Sequence, residues 1–193
     1  MNYPLAPDGI FKTVQGEGAL AGELMVFIRL GGCSIGCSEC DTNYKVTTKA
    51  TAREIAWKAV ELAVGTDWIW ITGGEPTDHD LIPLIKELRR VDLKIALATA
   101  GHKELDVAVD WVSISPHDPM KWKVKKGQEL KLIPKLNGYS LEDFESCLPV
   151  CFGHLFVSPC DGKNETVGEC MKWIEGHRGW RMTGQLHKLW RIP

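Results

Sequence analysis

The chain has 193 residues, 44% of them apolar and 25% charged, and a formal net charge of -2 from 23 basic and 25 acidic side chains. That length suits one domain with an ordinary core, and the near-neutral balance gives no electrostatic case for binding a nucleic-acid backbone or an anionic membrane. The opening residues MNYPLAPDGIF carry no basic or apolar leader, and no apolar run approaches the roughly 18 residues of a membrane span, so seven cysteines predict a soluble protein of the reducing cytoplasm.

The first predicted element is a buried strand at 23–32, ELMVFIRLGG, bounded by a charge and a glycine pair. A helix is expected over 51–65. Thr51 and Glu54 form a capping box there, Ile55, Ala59 and Ala63 share one stripe, and Gly65 stops it. A strand at 67–72 and a helix at 79–90 follow, with Pro83 required in the first turn of that helix. Further strands are expected at 93–99, 111–115, 130–134 and 154–158, and helices at 141–148 and 165–176. Residues 113–129 hold two prolines and no helical period, which predicts a plain loop in place of a crossover helix. The rings of Trp68, Trp70, Trp173, Trp180 and Trp190 fall in apolar patterns and are expected in the core. The alternation predicts a single-domain α/β chain of parallel strands with a reduced outer helical layer, and about six strands are too few for an eight-stranded closed barrel.

The chemistry gathers at GGCSIGCSEC, where Cys33, Cys37 and Cys40 lie at the C-terminal end of the first expected strand. Glycines around them let thiolates converge and leave backbone amides free. A structural zinc ion takes four ligands. A zinc-binding module therefore stays open as a reading only with a distant fourth group, Cys147, Cys151, Cys160, Cys170 or a histidine. Three thiolates around four irons leave one iron open for a ligand. The sequence TGGEP at 72–76 stands at the end of the next strand, where the Gly73–Gly74 backbone can approach a ligand closely. Arg29, two residues after Phe27 in an apolar strand, requires a partner for its guanidinium: either a nearby acid or a ligand carboxylate.

The cysteine spacing and TGGEP resemble the radical S-adenosylmethionine superfamily. The flanks IFKTVQGEGALAG (10–22), FIRLGGC (27–33), CDT (40–42), VSISP (112–116), VSPCDG (157–162) and QLHKLWRIP (185–193) are similar to the 7-carboxy-7-deazaguanine synthase family. The resemblance implies that residues 1–193 form one radical S-adenosylmethionine core domain, a partial (β/α)6-type barrel. It implies one 4Fe-4S cluster on Cys33, Cys37 and Cys40, with S-adenosylmethionine chelated at the open iron and cleaved to a 5'-deoxyadenosyl radical. The implied reaction contracts the ring of 6-carboxy-5,6,7,8-tetrahydropterin with loss of ammonia, in queuosine or other 7-deazapurine biosynthesis.

By the same resemblance, Gln15, Gly16, Glu17, Arg29, Thr72, His187 and Pro193 would bind the pterin, and Arg29, Glu17 and Thr42 would take part in catalysis. Thr42, rather than Asp41, would also ligate Mg2+. Cys40, Gly74, Glu75, Ser115, His117, Ser158, Pro159, Cys160 and Asp161 would line the S-adenosylmethionine site. Two positions depart from the family pattern: His117 stands for a lysine after Ser115-Pro116, and Ser158 for a glutamine. A flavodoxin- or ferredoxin-type reductant and a homodimer are implied as partners, with no direct contact to nucleic acid or membrane. The tail residues Leu186, Leu189, Trp190 and Ile192 are expected to bury the C-terminal segment, and the free carboxylate of Pro193 is expected to face the pterin. A small activating enzyme for a glycyl-radical protein remains the alternative within the superfamily.

Overall fold

The computed structural model describes residues 1–148, 150–160 and 164–193. Among these, nine strands form one sheet: β1 (Asn2–Val14), β2 (Leu24–Leu30), β3 (Thr48–Thr51), β4 (Trp68–Gly73), β5 (Lys94–Thr99), β6 (Trp111–Ile114), β7 (Lys126–Leu132), β8 (Cys151–Val157) and β9 (Trp180–Met182). Their spatial order is β3-β1-β2-β4-β5-β6-β7-β8-β9. Every pairing from β2 through β9 is parallel, while β1 runs antiparallel to both β2 and β3. The expected parallel α/β organisation is present, extended at one end by β3 and β1 and at the other by the three-residue β9.

The helices are α1 (Ala52–Leu62), α2 (Ile82–Leu88), α3 (Asn164–Gly176) and the short α4 (Leu186–Trp190). The capping box of α1 is formed as expected. Glu54 N donates to Thr51 Oγ1 at 3.2 Å, and Thr51 N donates back to Glu54 Oε2 at 2.7 Å. Pro83 sits in the first turn of α2, where its missing N–H has no helical partner to lose. The helix expected at 141–148 is instead a run of 3-10 turns, Glu142–Cys147, entered through Ser140, whose N donates to Asp143 Oδ2 at 2.7 Å.

Alternation along the parallel strands sorts side chains onto two faces. Val26, Ile28, Leu30, Ile69 and Ile71 point outward and pack under α1 and α2 with Ile55, Ala59, Leu84 and Leu88. The second half of the sheet buries Ile114, Leu130, Leu132 and Val157 against Phe144, Cys170 and Trp173. No helix covers the β6–β7 connection, as expected, but the loop is not plain. Trp122 and Val124 fold back into the core, with Trp122 Nε1 donating to Val124 O at 2.6 Å.

Trp70, Trp173 and Trp180 are core residues as expected, whereas Trp68 is only half-buried. The tail is not buried as expected either. Leu189 and Trp190 are 74% and 49% exposed, because α4 has only five residues and buries none of them. Of the four late cysteines, Cys160 and Cys170 are buried small hydrophobes, while Cys147 is half-buried and Cys151 is exposed.

Candidate active site

The inner face of the sheet presents the intervening residues. Phe27 and Arg29 on β2, Trp70 and Thr72 on β4, Ala98 on β5, Ser113 on β6, and Glu129 and Lys131 on β7 all line one cleft of about 280 Å³ at the C-terminal strand ends. Arg29 and Thr72 are register partners across the parallel β2–β4 pair, so their side chains share that face. Small-molecule sites in open α/β sheets lie at this end of the strands.

The loop carrying Cys33, Cys37 and Cys40 closes one side of the cleft, and TGGEP abuts it. Gly74 N donates to Leu30 O at 2.8 Å and Glu75 N to Gly32 O at 3.1 Å. A Cβ on Gly74 would lie 1.7 Å from Gly32 O, so only glycine allows this approach. Glu75 is almost wholly buried and holds the turn. Its carboxylate accepts from Thr77 N, Thr77 Oγ1, Thr99 Oγ1 and Ala100 N at 3.0, 2.7, 2.5 and 2.9 Å.

Burial pushes the Cys37 thiol up to about 11, with the neighbouring Cys40 and Cys33 adding to the shift against a hydrogen bond from Asn137. Burial also brings His117 down to about 4. A bare thiolate is therefore costly at Cys37, and a bound metal would supply the compensating charge. Among the described residues no group of three or more His, Cys, Asp or Glu side chains is drawn together as a metal-ligand set. The donor chemistry still fits an iron–sulfur group better than zinc: three thiols on one loop open onto a cleft large enough for a ligand.

Gln15 is buried, and its Oε1 accepts from Glu17 N at 3.1 Å. Glu17 is ion-paired with Lys131 and accepts from Gln185 Nε2 at 3.2 Å. Burial opposes the charge of Glu17, but Lys131, Gln185 and His187 more than offset it, so the carboxyl lies below its usual range. Lys131 is likewise held above its ordinary value: burial lowers it, and Glu17, Glu129 and Asp41 outweigh that. Arg29 Nη1 donates to Asp8 Oδ2 at 2.5 Å, and its guanidinium lies 4.8 Å from the Phe11 ring centroid. A nearby acid thus does pair with Arg29. One contact from five N–H donors leaves the fork able to take a carboxylate as well.

Thr42 lines the cleft, and its hydroxyl donates to Asp41 Oδ1 at 3.4 Å. Asp41 Oδ2 is taken by Lys188 Nζ at 2.6 Å and Gln185 Nε2 at 2.7 Å. Gly16 carries the C-terminal segment: Leu186 N donates to Gly16 O at 3.0 Å, and a Cβ there would meet His187 Nδ1 at 2.3 Å. His187, Pro193, Ser115, His117 and Cys160 also reach the cleft.

Ser158 and Pro159 do not line the cleft wall. Ser158 is buried, with its amide donating to Leu132 O at 2.9 Å. Asp161 lies outside the described residues. Lys131 and Glu129 belong to the cleft wall as well, and their mark in the sequence is two charges alternating with Leu130 and Leu132 along a buried strand. No local pattern marks Asn137 or Asp8.

No protein-family model matches the chain. It is 33% identical over 198 residues to the 7-carboxy-7-deazaguanine synthase of a Synechocystis species, covering 97% of this chain and 92% of that protein. It is 32% identical over 180 residues to the synthase of Bacteroides thetaiotaomicron, covering 93% and 94%. The crystal structure of QueE from Escherichia coli superposes with a TM-score of 0.74 at 24% identity, over 96% of this chain and 94% of that one, and shows the same fold. Similarity over more than nine-tenths of both chains, on a fold whose strand ends carry the three-cysteine loop, places this chain in the 7-carboxy-7-deazaguanine synthase family of the radical S-adenosylmethionine superfamily.

Proposed function

We propose that this chain is a lyase that contracts the ring of 6-carboxy-5,6,7,8-tetrahydropterin to 7-carboxy-7-deazaguanine with loss of ammonia. The observation that carries the reading is the convergence of the three-thiol loop, Arg29, and the Glu17–Lys131 pair on one cleft. Cys33, Cys37 and Cys40 would hold one 4Fe-4S cluster, with S-adenosylmethionine beside it along Gly74, Ser115 and His117. Bound there, the two would supply a one-electron cleavage whose radical removes a hydrogen from the pterin carbon bearing the carboxylate.

The chain's own residues do the positioning. Arg29 takes the substrate carboxylate through the N–H groups not used by Asp8. Gln15 both donates and accepts along the pterin edge, and Glu17, kept ionised by Lys131, accepts from its ring N–H or amine. Thr72, Gly16, His187 and Pro193 close the remaining sides. The Thr42 hydroxyl is the protein oxygen offered to Mg2+, which commonly keeps few protein ligands and takes the rest from substrate and water. Phe11, Phe27 and Trp70 line the cleft with apolar surface, which excludes water from a reactive carbon centre.

A flavodoxin- or ferredoxin-type donor and a homodimeric assembly complete the proposal. No helix of the described residues is long and apolar enough to cross a membrane. The test is anaerobic: cluster-loaded protein, reductant, S-adenosylmethionine and the tetrahydropterin should yield 5'-deoxyadenosine and the deazaguanine together. Each of Cys33→Ala, Cys37→Ala and Cys40→Ala should lose most iron and both products. A full iron complement in all three variants would overturn the assignment.

A further inference from the structure

Three separate parts of the chain meet at the sulfur of Cys37. His117 Nδ1, on the loop after β6, lies 2.9 Å from Cys37 Sγ. Asn137 Nδ2, on the loop after β7, lies 3.5 Å from the same sulfur and donates to His117 O at 3.3 Å. Its other side-chain atom, Oδ1, accepts from Ser38 N at 3.1 Å. One asparagine thus ties the cluster loop to two strand exits, 100 residues from the cysteine it touches.

The Asn137 loop is built for this placement. Lys135 and Asn137 both adopt left-handed backbone, φ 64° and 54°, which costs most side chains energy and asparagine less. Lys135 N donates to Tyr139 O at 2.6 Å and Lys135 Nζ pairs with Glu169 Oε1 at 2.9 Å, which anchors the turn to α3. Left-handed non-glycine residues persist only where the surroundings over-determine them. By contrast, Cys40 Sγ has the carbonyl of Thr42 at 3.7 Å, a group that cannot donate.

A cysteine bound to iron has no proton and can only accept. Any polar contact to Cys37 in that state must then come from N–H groups, and both neighbours can provide one: the asparagine amide always, the neutral imidazole in its Nδ1–H tautomer. Hydrogen bonds to cluster sulfurs stabilise the negative charge added on reduction. Resting on the reading that Cys33, Cys37 and Cys40 hold the cluster, we propose that Asn137 and His117 are positioning residues that donate hydrogen bonds to the Cys37 sulfur and raise the reduction potential of the cluster.

The experiment compares three cluster-loaded proteins prepared anaerobically: the parent, Asn137→Leu and His117→Phe. Asn137→Leu keeps the side chain's volume and removes the donor without adding a charge beside the Cys37 sulfur. His117→Phe keeps the ring's volume and removes its nitrogen. Redox titration followed by electron paramagnetic resonance should show a more negative midpoint in each variant. Resonance Raman should show the iron–cysteine stretching bands moved to higher frequency. Midpoints and bands equal to the parent's would overturn the proposal. So would loss of iron from both variants in chains whose circular dichroism and melting match the parent's, since these residues would then only hold the loop. A parent that binds no iron at all would instead overturn the cluster assignment on which this rests.

Discussion

Glu17, on the loop after β1, and Lys131, on β7, form an ion pair on the cleft wall although 114 residues separate them. Both side chains are mostly buried, 18% and 15% exposed, and both charges are reinforced: Glu17 lies below its ordinary range and Lys131 above. Glu17 contributes stability above its unfolded pKa, and that contribution is lost as pH falls through the lower folded value. Lys131 contributes below its unfolded pKa, and that contribution is lost as pH rises through the higher folded value. The pair is therefore fully ionised, and its contribution flat, across neutral pH.

Lys131→Met should destabilise the chain by about 3 kcal/mol at pH 7, the scale of leaving a buried charge without its partner. With Lys131 gone, only Gln185 and His187 offset burial at Glu17, so its carboxyl lies higher in the variant than in the parent and protonation costs the variant less. The stability gap between parent and variant should narrow as pH falls from 7 toward 5. Urea unfolding at several pH values measures it, and a gap that widens on acidification would refute the ion-pair account.

Arg29→Lys should lower kcat/KM by about a hundredfold, since a point charge cannot hold Asp8 and a substrate carboxylate together as a planar fork can. Asp8→Asn keeps an acceptor for Nη1 and should change KM only a few-fold. Steady-state assays of the two variants separate orientation of Arg29 from its contact with substrate. Equal losses in both would place the main role of Arg29 in its contact with Asp8.

Gly16→Ala tests the seat of the C-terminal segment. The added methyl would overlap His187 Nδ1, at 2.3 Å, and His187 N, at 2.8 Å, and overpacking of this kind costs about 1–3 kcal/mol. Hydrogen exchange in residues 183–193 should quicken and the pterin KM should rise, while iron content stays at the parent level. Unchanged exchange in that segment would show that the contact is absorbed elsewhere.

Thr42→Ala should blunt the response of turnover to added Mg2+, and Thr42→Ser should keep most of it by retaining the hydroxyl. A magnesium titration of initial rates distinguishes them. Identical curves for parent, Ala and Ser would remove Thr42 from the ion's coordination.

Features set by short-range spacing were legible in the sequence. Three cysteines within eight residues, TGGEP following an apolar run, and a capping box at Thr51 each depend on neighbours a few positions away. The parallel strands were equally plain, because burial on both faces leaves runs such as MVFI and WIWI. β1 was not: Pro4, Pro7 and Gly9 interrupt its pattern, and a register shift falls between Leu5 and Ile10. β3 and β9 are edge strands of four and three residues, too short to show a period. Partnerships within the cleft lay further out of reach. Asp8 meets Arg29, Glu17 meets Lys131, and His117 and Asn137 meet Cys37 only because the sheet's register and crossovers bring their strand ends to one rim. A charge or an amide in a strand exit carries no mark of its partner 80 or 100 residues away, since that choice is made by packing of the two faces and not by local backbone preference.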